Sequence, residues 1–177
     1  HHYQPVNRLR QLRSYERLDD LEKNALSFLE LLKERAEISW SKIGISGSLL
    51  VKLHKPNSDI DPIVYGSENC RKVYEALKSL MQDSKSQVKA YTIEEMQKLF
   101  EFRVKDTKIA FKDFVRTESR KVLQGKFKNR DYFMRFVKDW NEIREKYGTI
   151  RYRNVGYARG KAEIEDRSEG MFTPCTY

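Results

Sequence analysis

The chain has 177 residues, 34% of them charged, with a formal net charge of +9 and an isoelectric point near 9.5. That length suits one full domain with an ordinary core, and no apolar run approaches the roughly 20 residues needed to cross a bilayer, so a soluble, cytoplasmic protein is expected. Cys70 and Cys175 are the only cysteines, too few and too far apart for a disulfide framework or a zinc site.

The polar start His1-His2-Tyr3-Gln4 is no signal peptide, and the two histidines are set aside as the end of a purification tag. The positive field favours polyanions such as nucleic acid or nucleotide phosphates. The abundance of Lys and Glu equally fits a surface of ion pairs adapted to high temperature.

Residues 1–14 read as an N-terminal extension. A helix is predicted over about 15–36, because Leu18, Leu21, Ala25, Phe28, Leu29 and Leu32 recur at intervals of three and four. Residues 40–46 lead into a first strand that Gly47-Ser48 breaks, and a short helix or loop follows. A second strand is expected over 59–65, with Pro62 marking a sheet edge or a bulge. Ser67 is placed to cap the next helix, whose stripe of Cys70, Val73, Leu77 and Leu80 makes Cys70 a core residue.

A short strand over 87–92 precedes Thr92-Ile93-Glu94-Glu95, which has capping-box form and starts a helix carrying Met96, Leu99 and Phe100. Another helix spans about 110–122. Residues 126–128 and 131–138 then form a hairpin joined at Asn129-Arg130, with Tyr132, Met134 and Phe136 on one face and Asp131, Phe133, Arg135 and Val137 on the other. The pattern as a whole is a mixed α/β (α+β) layered domain over 15–146.

Beyond Tyr147 the alternation of Ala158, Gly160, Ala162 and Ile164 with charged residues predicts the start of a small β-rich unit, 147–177, that is truncated or leans on another chain. Tyr147, Arg151, Tyr152, Arg153, Tyr157 and Arg159 interleave rings and cations. Such text fits RNA binding by stacking and phosphate contact or, more simply, a half-buried β surface with solvated arginines.

The chemistry concentrates between Gly47 and Asp61. Strand alternation puts Asp59 and Asp61 on one face, and two close carboxylates repel unless a cation lies between them. Mg²⁺ commonly takes one or two protein carboxylates with phosphate oxygens and water, so the pair is a magnesium seat, with two ions expected. Gly47 admits a ligand close to the backbone and Ser48 adds a hydroxyl, a turn suited to phosphate oxygens. Together they suit in-line attack of a hydroxyl on an α-phosphate. His54, in the spacer, receives no role.

Ile45-Ser46-Gly47-Ser48 and Ser58-Asp59-Ile60-Asp61 resemble the signature of the DNA polymerase beta-like nucleotidyltransferase superfamily, and most nearly its small archaeal members. The resemblance covers mainly 40–80. It implies that fold, an NTP substrate such as ATP, phosphate contacts at Gly47, Ser48 and Ser58, and Mg²⁺ at Asp59 and Asp61. It also implies a third carboxylate on a later strand, for which Asp131 is the candidate and Asp139 a weaker one. Asp131 reads equally as a turn acid beside Asn129-Arg130, and Arg135 as a phosphate ligand or that acid's ion-pair partner. The expected activity is transfer of a nucleoside monophosphate to a hydroxyl acceptor, whether RNA, protein or small molecule. The alternatives are a noncatalytic nucleotide- or RNA-binding module and an antitoxin-like regulatory partner.

Overall fold

Pro5, which has no N–H to leave unpaired, occupies the first turn of α1 (Pro5–Ser14). Leu9 and Leu12 on this helix are fully buried, so the stretch set aside as an extension is part of the core. Gly44 makes the close approach possible, since a Cβ there would come within 2.6 Å of the Pro5 Cβ. The computed structural model describes residues 2–105, 108–145 and 148–176.

Asp19 caps α2 (Asp20–Ala36) in a reciprocal box with Glu22, which is why this helix begins at Asp20 and not near Tyr15. Its stripe of Leu21, Ala25, Phe28, Leu29 and Leu32 is buried as the periodicity predicts. A 3₁₀ turn at Trp40–Lys42 leads into β1 (Ile43–Ile45), followed by the short α3 (Gly47–Val51) and then β2 (Pro62–Tyr65). Beyond Gly66, α4 (Ser67–Gln82) buries Cys70, Val73, Leu77 and Leu80. Burial pushes the Cys70 thiol up to about 12, leaving it inert.

The chain continues through β3 (Val88–Lys89), α5 (Ile93–Arg103), α6 (Phe111–Glu118), β4 (Gln124–Phe127), β5 (Arg130–Phe133) and β6 (Arg135–Val137). The Thr92–Glu95 capping box forms as expected. The β4–β5 hairpin turns at Lys128 and Asn129, both at positive φ, one residue earlier than the sequence suggests.

The architecture is mixed α+β, with two small three-stranded sheets ordered β1-β2-β6 and β3-β4-β5. β2 lies between an antiparallel β1 and a parallel β6, so Pro62 does not mark an edge. It is tolerated because it is the first residue of the strand. The isolated parallel bridge Ile60↔Tyr132 joins the sheets, and the same offset, 72 residues, relates Ile60 to Tyr132 and Ile63 to Arg135. Segments 59–65 and 131–137 thus run side by side in one register. They are interrupted where the Met134 N–H turns to the Leu123 carbonyl at 2.7 Å.

Phe28 stacks on Phe127 with ring centroids 4.9 Å apart and meets Tyr132 at 4.8 Å, fastening α2 to the hairpin. Each such buried ring contributes on the order of 2–3 kcal/mol. The Tyr132 hydroxyl donates to the Val122 carbonyl at 3.0 Å, so its burial leaves no polar atom unpaired.

No strand forms over 151–164, and those residues are exposed. The β-rich unit expected there is absent because Ala158, Gly160 and Ala162 offer too little apolar surface to offset the entropy of ordering. Farther on, Phe172 is buried and bridges Phe136. No helix among the described residues is long and apolar enough to cross a membrane.

Candidate phosphate and metal site

The turn after β1 is built around Asp61. The Ser46 N–H and hydroxyl donate to the Asp61 carbonyl at 2.8 and 3.0 Å. Gly47 has φ +58, and a Cβ there would lie 1.8 Å from Asp61 Oδ2, so the carboxylate rests against the bare glycine backbone. The Ser48 hydroxyl is buried with no hydrogen-bond partner. Only five residues long, α3 supplies N–H groups but little of the dipole expected from a helix beginning at Leu49.

Arg8 supports this turn from below. Its Nε donates to the Leu49 carbonyl at 2.8 Å, and its guanidinium pairs with Glu22 at 3.2 Å. Both side chains are almost fully buried.

Asp61 is half-buried and Asp59 exposed. Burial first, and then the charge of Asp59, raise the Asp61 carboxyl to about 6 against the opposing charge of Arg135. A cation between the two acids would relieve the repulsion. The contact of Gly47 with Asp61 and the orphaned Ser48 hydroxyl also fit a phosphate-bound divalent ion.

The 72-residue register sets Asp59 opposite Asp131 and Asp61 opposite Phe133, on the face away from buried Ile60 and Tyr132. Asp131 is thus a strand residue beside the acid pair. Lys126 approaches it at 3.4 Å, and it is hydrogen-bonded to Tyr91, whose own ionisation is suppressed first by burial and then by the charge of Asp131. Arg135 acts electrostatically on Asp61, while Lys126 is the ion-pair partner of Asp131.

Arg130 donates to the Pro56 carbonyl and, at 3.3 Å, to that of Ser58, pinning the spacer beside β5. The Ser58 hydroxyl accepts from the Lys55 N–H at 3.0 Å and closes the spacer turn. Asp139 lies beyond the far end of β2, against Gly66 and 2.6 Å from Lys42 Nζ, and does not join the other acids.

Asp59, Asp131 and Tyr91 line a cavity of about 790 Å³ between α5 and the hairpin. The carboxylates of Asp59, Asp61 and Asp131 do not converge to a three-ligand cluster. Among the described residues the group that does, with ligand atoms within 4.8 Å, is Asp19, Glu22 and His54. That group is occupied otherwise: Asp19 and Glu22 cap α2, and His54 Nε2 lies 2.6 Å from Asp19.

Of the ring-and-cation segment, Tyr152 and Tyr157 are fully exposed, not half-buried on a sheet, and Tyr147 lies outside the described residues. Arg8, Ser46, Tyr91, Lys126 and Arg130 escape sequence reading. For Arg8 a signal exists, since Pro5, Leu9 and Leu12 have the spacing of a short amphipathic helix.

No protein-family model and no solved structure matches the chain. It is 34% identical over 149 residues, 84% of its length, to an uncharacterized protein of Methanocaldococcus jannaschii, of which it spans 43%.

Proposed function

We propose that the protein is a Mg²⁺-dependent nucleotidyltransferase on a polymerase beta-like fold, transferring a nucleoside monophosphate from an NTP to a hydroxyl acceptor. The observation that carries this reading is the juxtaposition of Asp59 and Asp61 with Asp131 on the neighbouring strand, against a Gly47-Ser48 turn that touches Asp61. Gly47 and Ser48 hold phosphate oxygens, with Ser58 at the edge of the spacer, and Asp59 and Asp61 hold the divalent ion. Bound there, Mg²⁺ supplies charge neutralisation on the phosphates.

The acceptor oxygen forms a bond to the α-phosphorus. The bond from that phosphorus to the bridging oxygen breaks, and its electron pair leaves with pyrophosphate. A carboxylate oxygen of Asp131 takes the acceptor's proton, while Tyr91 and Lys126 orient that carboxylate.

The test is a thermal melt with each NTP, with Mg²⁺ or with chelator, alongside transfer of labelled nucleotide to total RNA, protein and small molecules. NTP with Mg²⁺ should raise the melting temperature, and Asp59→Asn with Asp61→Asn should abolish both the metal-dependent part of that shift and the transfer. Absence of a shift with every NTP, or transfer surviving in the double variant, overturns the proposal.

A further inference from the structure

A second cavity, of about 710 Å³, lies between the hairpin and the C-terminal segment. Arg71, Arg120, Lys121 and Arg167 line it, and none of its lining residues is acidic. Arg120 and Arg167 make no ion pair among the described residues, and Arg71 lies over the Phe172 ring at 5.8 Å. Lys121 is neutralised by Glu118, which leaves Arg71, Arg120 and Arg167 around the hollow without a carboxylate partner among the described residues, and an entering anion would relieve their repulsion. Its floor is apolar, with Tyr74, Met134 and Met171.

This cavity shares Gln124 and Phe133 with the cavity that holds Asp59 and Asp131, so the two adjoin at these side chains. The acidic half, which Glu95 also lines, adds Lys98 and the exposed Phe102 ring, while its Arg103 pairs with Glu118 and its Lys126 with Glu95 and Asp131. Buried Glu118 fixes two cations along the course, Arg103 at 3.0 Å and Lys121 at 2.6 Å. Burial alone would raise its carboxyl, but hydrogen bonds from Lys121 and Gln124 and the nearby charges leave it below the ordinary value. Phe133, at the junction, is 39% exposed and on the same face as the acids.

We infer that the two adjoining cavities act as one furrow that binds a single-stranded polynucleotide, with phosphates along the Arg71, Arg120 and Arg167 end and its terminal hydroxyl toward Asp131. A small anion would need one cavity and one or two cations. Arg71, Arg120 and Arg167 around one cavity and Lys98 at the next, with rings between, match successive phosphates and stacked bases. The charge gradient orients the strand, because its phosphates favour the basic end and its uncharged hydroxyl can approach Asp131. The binding stands on the furrow itself, whereas the placement of the hydroxyl as acceptor rests on the nucleotidyltransferase reading.

The test is fluorescence anisotropy of a short labelled single strand with a free terminal hydroxyl, titrated at several salt concentrations. Three phosphate contacts predict a log–log salt slope of about −2. Arg71→Glu, Arg120→Glu and Arg167→Glu together replace exposed side chains and should weaken binding at least about tenfold at low salt. The same reversal at Lys23, Lys78 and Lys85, which line neither cavity, should change it far less. Phe133→Ala should weaken binding about tenfold with little change in salt slope.

Unchanged affinity in the triple arginine variant, or equal affinity for a poly-glutamate peptide of the same charge, overturns the inference. The two proposals fail separately. Loss of strand binding in the triple variant without any NTP shift in the parent would retain the furrow and discard the transferase. An NTP shift with no strand binding in the parent would do the reverse.

Discussion

Asp61 holds a proton more tightly in the folded chain than a free aspartate does, with a value of about 6 against 3.8. A raised folded value favours the protonated fold, so this stabilisation is complete below about pH 4 and is lost as pH rises through 6. Without divalent ions the protein should therefore melt lower at pH 8 than at pH 5 on account of this group. Asp61→Asn should remove that dependence and stabilise the metal-free protein at pH 8 by about 1 kcal/mol, the partial exposure of the carboxyl screening a larger effect. Melts in chelator across that pH range check it, and a variant no more stable than the parent would contradict the burial argument. Gly47→Ala tests the contact from the other side. Its Cβ would meet Asp61 Oδ2 at 1.8 Å in a left-handed backbone, so the carboxylate must move away. A loss of about 1–2 kcal/mol together with loss of the NTP-dependent melting shift is expected. The glycine turn and both acids are legible in sequence because small residues and alternating carboxylates are local signals. Tyr91 and Lys126, which hold Asp131, are not: Lys126 faces Asp131 because the hairpin turns one residue earlier than the sequence suggests, and Tyr91 reaches it from the segment before α5.

Elements are tied together here by buried polar side chains as much as by apolar stripes. Arg8 joins α1 to α2 through Glu22 and to α3 through the Leu49 carbonyl, contacts 14 and 41 residues distant in sequence. Arg8→Met leaves the Glu22 carboxylate buried without its partner and should destabilise by about 3–5 kcal/mol in urea unfolding. Adding Glu22→Gln preserves the capping geometry and removes the stranded charge, so the double variant should recover part of that loss. A double variant as unstable as the single one would show that packing, not charge, dominates. The helix stripes and the Thr92 capping box were readable because their partners lie within four residues. The cap on α4 was not. Ser67 makes no side-chain cap, and both oxygens of Glu142, 75 residues later, accept from the Ser67 N–H at 3.0 Å. The sequence predicts the second strand over 59–65, whereas the strand proper begins at Pro62; ahead of it the Asp61 carbonyl accepts from the Ser46 N–H in the same register and Ile60 bridges Tyr132.

At the scale of the molecule, the last described segment is held by few contacts. Phe172 bridges Phe136, and Lys138 pairs with Glu169, while 151–164 lies exposed between this anchor and the hairpin. Limited trypsin digestion should cut first at Arg151, Arg153, Arg159 and Lys161. The cleaved tail should stay associated through Phe172 under native conditions. Phe172→Ala, which removes a buried ring, should release that tail at a cost of up to about 3 kcal/mol and strip one wall from the basic cavity. Dissociation of the tail from the nicked parent protein would show that the anchor is weaker than its burial implies. The basic excess was visible in composition, but its concentration around one acid-free cavity was not. Arg71, Arg120 and Arg167 come from widely separated segments that only the packed chain brings together.

The common offset between 59–65 and 131–137 bears on how this protein can change over evolutionary time. Inserting or deleting one residue within either segment would rotate every following side chain to the opposite face. Such a change would turn acids into the core and Ile60 or Tyr132 outward. Homologous chains should therefore align without gaps through both segments. The spacer from Lys52 to Asn57, held by side-chain contacts of His54, Arg130 and Ser58 and by no strand pairing, is where length can vary.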